Sequence, residues 1–187
     1  MSEIKLIFVR HGEADSAYGE HDDPVLSIKG ISQSKNLLKN IKLQNLEKFT
    51  FISSPKLRAL KTADPLAKRF NKKILIDDNF IEIPAKDVPL DKKQSWLKKI
   101  VATKKSDLPE SIKLWSRNIL QRIRDIQEDS IIFTHFMVMN AVISELTQAE
   151  KILCFYPDYT SIIEINITNG KIKSFSQGNS KKTYINL

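Results

Sequence analysis

The chain has 187 residues, 41% of them hydrophobic, with a formal net charge of +8 and a single cysteine. That length suits one domain with an elaborated lid. One cysteine excludes an internal disulfide and fits a reducing cytoplasm, and no stretch approaches the roughly 20 apolar residues of a membrane helix. The surplus charge lies in residues 31–75, where eleven Lys/Arg meet two acids. These lysines fall on helix-like segments without interleaved aromatics, so they read as a solvated face. Steering of anionic substrates ranks second and nucleic-acid binding well behind.

Met1-Ser2-Glu3-Ile4-Lys5 lacks the basic and long apolar regions of a signal peptide. Ile4 to Val9 is an apolar run that reads as a short buried strand, and it ends abruptly in Arg10-His11-Gly12-Glu13. A loop follows, Ala14 to Pro24. Ser27 suits a helix N-cap, and Ile28, Ile31, Leu38 and Ile41 recur at helical spacing. Phe49 to Ser53 reads as a second strand, Lys56 to Arg69 as a helix with a kink at Pro65, and Lys73 to Ile76 as a third strand.

Residues 77–109, rich in proline and charge and carrying Trp96 on a helical piece from Lys92 to Ala102, read as a lid or pocket wall. Beyond Pro109, the stripe Ile112, Trp115, Ile119, Ile123 and Ile126 marks a core-facing helix. Ile131 to Thr134 reads as a buried strand ending in His135, and Met137 to Leu146 as a helix. Cys154 lies in an apolar run and reads as a core thiol. Ser161 to Ile167, the Thr168-Asn169-Gly170 turn and Lys171 to Phe175 read as a hairpin. Strand–helix alternation of this kind predicts an α/β fold, a three-layer α/β/α sandwich around a mostly parallel sheet.

Two of the three histidines, His11 and His135, end predicted strands, where ligands of open α/β sheets collect. With Arg10 and with Arg58 after the second strand, they form a constellation suited to phosphoryl transfer. The transferred group needs cations on its non-bridging oxygens and a nucleophile in line with the leaving oxygen. Arginine matches phosphate bidentately, and neutral imidazole can carry a covalent intermediate. The leaving group also needs an acid. Glu82, between Ile81 and Ile83, is the first candidate, because partial burial raises a carboxyl pKa; Glu13 and Asp87 rank below it. Tyr18, His21, Trp96 and Glu13 are candidate walls of a substrate pocket. A metal set is not indicated, since the chain lacks HExxH and cysteine clusters and offers only His21-Asp22-Asp23.

These residues resemble the histidine phosphatase superfamily, the phosphoglycerate mutase-like group of branch 1. Arg10-His11-Gly12-Glu13 matches its signature, and Pro24-Val25-Leu26-Ser27 with Gly30 and Gln33 resembles its next segment. Ser53-Ser54-Pro55 with Arg58, Ala59, Thr62 and Ala63 is similar to its second-arginine segment, and Phe133-Thr134-His135 to its second-histidine segment. The resemblance implies that His11 is the phosphorylated nucleophile, that Arg10, Arg58 and His135 bind the phosphate, and that Glu82 stands where the proton donor belongs. It implies no cofactor and no metal, and a small phosphorylated metabolite as substrate. Three positions depart from the family. Ala14 and Ala17 replace a threonine and a phosphate-contacting asparagine, for which Ser16 or His21 could substitute, and Phe136 stands where glycine is common. The expected activity is therefore metal-independent phosphomonoester hydrolysis. A protein phosphohistidine phosphatase is the first alternative, and an inactive phosphate-binding or interaction module the second. The sequence leaves a homo-oligomer open.

Overall fold

A computed structural model describes residues 3–178 of the chain; Met1, Ser2 and the last nine residues lie outside it. Six strands form one sheet: β1 (Glu3–Arg10), β2 (Thr50–Ser53), β3 (Ile74–Ile76), β4 (Ser130–Thr134), β5 (Ile162–Thr168) and β6 (Lys171–Ser176). Their order is β3-β2-β4-β1-β5-β6. The first four are parallel to one another, and β5 runs antiparallel to both β1 and β6. The architecture is thus mixed α/β with a mostly parallel sheet, as expected.

Side chains of β1 alternate between two cores, as a strand buried on both faces requires. Leu6 and Phe8 join one core with Ile52, Ile132 and the helices α4 (Glu110–Asp125) and α5 (Phe136–Leu146). Ile7 and Val9 join the other with Phe51, Ile131, Phe133 and α2 (Leu57–Arg69). The predicted stripe on α4 is buried throughout, including Trp115, whose indole Nε1–H also donates to the Ile81 carbonyl at 3.1 Å.

The isoleucine stripe expected after Ser27 is not a core face. The helix α1 (Ile28–Asn36) gives way to two short turns, Leu37–Lys39 and Ile41–Leu43, and Ile28 and Ile41 are 90% and 86% exposed. The buried side of α1 is made of small residues, Gly30 and Ser34. Ser34 Oγ donates to backbone carbonyls of α2, Lys61 and Thr62, at 3.1 and 3.3 Å. A β-carbon on Gly30 would stand 2.0 Å from the Glu13 carbonyl oxygen. Alanine in a helix ordinarily gains up to about 1 kcal/mol over glycine, but overpacking here outweighs that. Gly30→Ala is expected to lower stability by about 2–3 kcal/mol, read as an earlier urea midpoint at unchanged slope. Ser27 caps α1 as anticipated, its Oγ accepting from the Gly30 N–H at 3.0 Å.

Cys154 is also corrected: it is exposed. Its N–H donates to the Asn140 side-chain oxygen at 3.0 Å, and its sulfur stays close to Asn140, where partial burial pushes the thiol up to about 11. A thiol so protonated at neutral pH is no nucleophile.

Candidate active site

Strands β2, β4 and β1 are neighbours, so their carboxyl ends emerge side by side. Backbone bonds then continue the ladder one residue beyond the strands. His11 N–H donates to the Thr134 carbonyl at 2.9 Å, Ser54 N–H to the Phe133 carbonyl at 3.0 Å, and Arg10 N–H to the Ser161 carbonyl at 3.0 Å. This fixes Arg10, His11, Ser54 and His135 at one sheet edge. Arg58 arrives from the first turn of α2. Thr62, one turn on, accepts from the Gly12 N–H at 2.9 Å and donates to the Arg58 carbonyl at 2.7 Å, tying α2 to the loop after His11.

Arg10, His11, Arg58 and His135 are all buried, none more than 8% exposed. His11 Nδ1 lies 2.7 Å from the Gly12 carbonyl oxygen. A carbonyl only accepts, so this contact assigns the proton to Nδ1 and leaves a lone pair on Nε2. Nε2 in turn receives the Arg58 Nε–H at 3.2 Å. The His135 ring stands 5.2 Å from that of His11, centroid to centroid, and its Nε2 shares a 2.7 Å bond with Ser54 Oγ. The Arg10 guanidinium lies over the rings of Tyr159, at 4.2 Å, and Phe136, at 4.9 Å, and its Nη1 donates to the Pro157 carbonyl at 2.7 Å. Phe136, the departure from the common glycine, is therefore a flat seat for the Arg10 guanidinium. Arg10 Nε and His135 Nδ1 are buried polar atoms with no partner among the described residues.

Glu82 reaches the same site from the segment after β3. Phe80 and Ile83 bury themselves in the core on either side of it, and the Phe80 carbonyl accepts from Thr134 Oγ1 at 2.8 Å. The carboxyl accepts from the N–H groups of Ile83, at 2.9 Å, and Met137, at 3.2 Å, in the first turn of α5. Desolvation raises its pKa, opposed by these two amides and by Arg58 and Arg10.

Both histidines are held neutral. Desolvation lowers each pKa well below the ordinary value, and the charge of Arg58 lowers it further. Because the native pKa values lie below those of the unfolded chain, unfolding takes up protons as pH falls through about 6.5. Stability should then drop by up to about 1.4 kcal/mol per pH unit for each histidine, down to its depressed native pKa. His135→Asn is expected to flatten that slope between pH 6.5 and 5.5, measured by urea unfolding at each pH; an unchanged slope would show that His135 titrates normally.

A cavity of about 370 Å³ opens over these groups, lined by Arg10, His11, Arg58, Glu82, Tyr159 and residues of the 14–24 loop. Tyr18 and His21 are on its wall, and so are Ser16 and Ala17. Two other expected wall residues are not. Glu13 is held by Ser27 Oγ at 2.9 Å and Lys29 Nζ at 2.8 Å, which fixes the start of α1. Trp96 packs against the core instead. Asp22 and Asp23 are engaged as well: Asp22 pairs with Lys93 at 2.9 Å, and Asp23 accepts from the Leu57 N–H at 3.0 Å. From residues 77–109, the stretch Ile81–Lys86 together with Lys93 and Leu97 forms one side of the cavity.

Ser54, Phe136 and Tyr159 complete the site and were not singled out for it from sequence. Ser54 and Phe136 are adjacent to recognised positions. Tyr159 is 149 residues from Arg10 in the chain, carried by a loop that Asn140 anchors through the Cys154 and Phe155 N–H groups at 3.0 and 3.1 Å.

A neutral imidazole beside two arginines, a second imidazole and a desolvated carboxyl at the carboxyl ends of parallel strands is an arrangement that can carry phosphoryl transfer. The chain belongs to the histidine phosphatase superfamily, branch 1, whose family model matches residues 6–179. No curated protein matches it at a significant level. Among solved structures, it is similar to phosphoserine phosphatase from Entamoeba histolytica in complex with 3-phosphoglyceric acid. Identity is 22% over 96% of this chain and 98% of that one, with a TM-score of 0.73. A mutant of that enzyme in complex with phosphoserine matches at 21% identity, covering 92% and 96%, with a TM-score of 0.69. Mycobacterial glucosyl-3-phosphoglycerate phosphatase in complex with VO3 is similar at 16% identity, covering 95% and 100%, with a TM-score of 0.70. At such identities the likeness is one of fold.

Proposed function

We propose that this protein is a phosphatase that hydrolyses phosphomonoesters of small metabolites through a phosphohistidine on His11, without a metal or organic cofactor. The observation that carries the reading is the state of His11. Its Nδ1 proton is committed to the Gly12 carbonyl, and the Nε2 lone pair is held only by Arg58. When a phosphate dianion enters, its oxygens offer Arg58 a stronger acceptor than a neutral imidazole nitrogen. Arg58 turns to the phosphate and the lone pair is freed toward phosphorus. The unpartnered Nε of Arg10 and Nδ1 of His135 gain an acceptor in the same step.

Attack by Nε2 forms the P–N bond as the P–O bond to the leaving group breaks. Glu82, whose pKa desolvation raises, gives a proton to the departing oxygen. The resulting carboxylate then takes a proton from water as that water attacks phosphorus. The P–N bond breaks, inorganic phosphate leaves, and His11 and Glu82 return to their starting states. The segment 77–109 serves as a pocket wall that carries the acid and shields it from solvent. The phosphatases among its structural relatives support the same reading.

The direct test is hydrolysis of p-nitrophenyl phosphate in excess EDTA. We expect undiminished turnover in chelator and inhibition by orthovanadate, which adopts the trigonal geometry of the transferred phosphoryl group. Activity that disappears with EDTA and returns with a divalent cation would contradict the mechanism.

A further inference from the structure

The two arginines of the cavity are held in different ways. Arg58 has polar partners: its Nε donates to His11 Nε2 at 3.2 Å, and its Nη1 stands 3.9 Å from Asp23 Oδ1. An entering anion competes with both. Arg10 is held by the Pro157 carbonyl and by the faces of two rings, Tyr159 and Phe136. Its Nε is buried and has no hydrogen-bond partner among the described residues. The rest of the cavity wall comes from the 14–24 loop, the stretch 81–86 and α3 (Lys93–Ala102). Among the described residues, none of these puts a ring over Arg10 or Arg58.

The loop that brings Tyr159 to Arg10 is built with some cost. Thr160, the next residue, has φ of 58°, in the left-handed region that a β-branched side chain enters at a cost of about 1–3 kcal/mol. Neighbouring bonds hold it there. Asp158 Oδ1 accepts from the Tyr159 N–H at 2.8 Å. The Asp158 carbonyl accepts from the Ser161 N–H, and the Ser161 carbonyl from the Arg10 N–H, both at 3.0 Å. Upstream, the fully buried Asn140 side chain joins both ring-bearing segments. Its oxygen accepts from the Cys154 and Phe155 N–H groups, and its Nδ2 donates to the Phe136 carbonyl at 3.1 Å.

We infer that Tyr159 is a positioning residue: with Phe136 it holds the Arg10 guanidinium, before substrate arrives, in the orientation that binds the transferred phosphoryl group. The catalytic consequence rests on the phosphatase reading above. A guanidinium is planar, so a ring face against it restricts its tilt while leaving the donors at its edge unoccupied. Burial strengthens the attraction, because water does not compete for the charge. Donors fixed in advance need no reorganisation when charge develops on the phosphoryl oxygens. An aliphatic side chain of similar bulk fills the same space without the ring's negative face.

The test reads two quantities in each variant: the Kd of inorganic phosphate by isothermal titration calorimetry, and kcat/KM for p-nitrophenyl phosphate. In Tyr159→Leu the Kd is expected to rise roughly 5-fold to 30-fold, and kcat/KM to fall by a similar factor. Tyr159→Phe, which keeps the ring, should recover most of both losses. In an Arg10→Ala background, adding Tyr159→Leu should change the phosphate Kd by less than about 2-fold, since the group it positions is gone. Tyr159→Met replaces the leucine variant if urea unfolding shows that one to be destabilised. Three results would each overturn the inference. A phenylalanine variant as impaired as leucine would assign the effect to the hydroxyl. Losses that multiply in the Arg10→Ala background would make Tyr159 independent of Arg10. A lowered kcat/KM with unchanged phosphate affinity would make Tyr159 a wall for the leaving group. Wild-type protein that binds phosphate but hydrolyses no ester overturns the phosphatase reading, and the calorimetry still decides the role of Tyr159. Wild-type protein that binds no phosphate overturns both.

Discussion

Replacing His11 by alanine is expected to abolish turnover, with kcat for p-nitrophenyl phosphate falling on the order of 10⁴-fold to 10⁶-fold, as for removal of other covalent nucleophiles. Water in the emptied space is a far weaker nucleophile than imidazole and is not aligned by the Gly12 carbonyl. The effect should fall on kcat, because Arg10, Arg58 and His135 remain to bind phosphate. The fold should survive, since His11 contributes its Nδ1–H to a neighbouring carbonyl and little to either core cluster. An unfolding transition like that of the wild type, together with retained phosphate binding, would show that chemistry alone was lost. Full activity in this variant would remove the nucleophile from the account.

Glu82→Gln is expected to produce the second-largest loss, about 10²-fold to 10⁴-fold with alkyl phosphates. Glutamine can still accept from the Ile83 and Met137 N–H groups through its carbonyl oxygen, so the segment after β3 should keep its place. It cannot give a proton to an alkoxide or take one from water. The two half-reactions should therefore separate with p-nitrophenyl phosphate, whose phenolate leaves without a proton. The first turnover should remain fast, giving a burst of one nitrophenol per site, followed by slow steady-state release as the phosphoenzyme waits for an unactivated water. A uniform loss without a burst would place the carboxyl in phosphorylation only. A negligible loss with every substrate would favour a phosphoramidate substrate, whose leaving group needs less help.

Much of this site was legible in the chain because its parts announce themselves locally. Apolar runs that stop at Arg10-His11, at Ser53 and at His135 mark strand ends, and parallel strands bring such ends together. Arg58 lies one turn beyond such an end, and Glu82 is bracketed by apolar residues that could only point inward. What was not legible depends on contacts between distant segments. Nothing in the local sequence of Tyr159 says that it covers Arg10, because that contact is made by a loop closed through Asn140. The exposed Ile28 and Ile41 misled for a related reason. Their spacing is helical, but the close approach of α1 to the Glu13 backbone and to α2 selects Gly30 and Ser34 for the buried side. Cys154 sits in an apolar run yet stays at the surface, because Asn140 engages its backbone N–H and leaves the sulfur outside the core. Phe136 is the opposite case. In the sequence it stands out only as a departure from glycine, and in place it is a platform for the Arg10 guanidinium.

The proposed mechanism turns on a covalent bond between His11 and phosphorus. The most direct measurement is rapid acid-free quench of Glu82→Gln with p-nitrophenyl phosphate, followed by mass spectrometry of the intact protein and its peptides. Near-stoichiometric phosphorylation is expected, labile to acid and stable to base as for a phosphoramidate, located on the peptide containing His11 and absent from the Glu82→Gln/His11→Ala double variant. A phosphoryl group found on another residue, or no phosphoenzyme while nitrophenol is released, would contradict it.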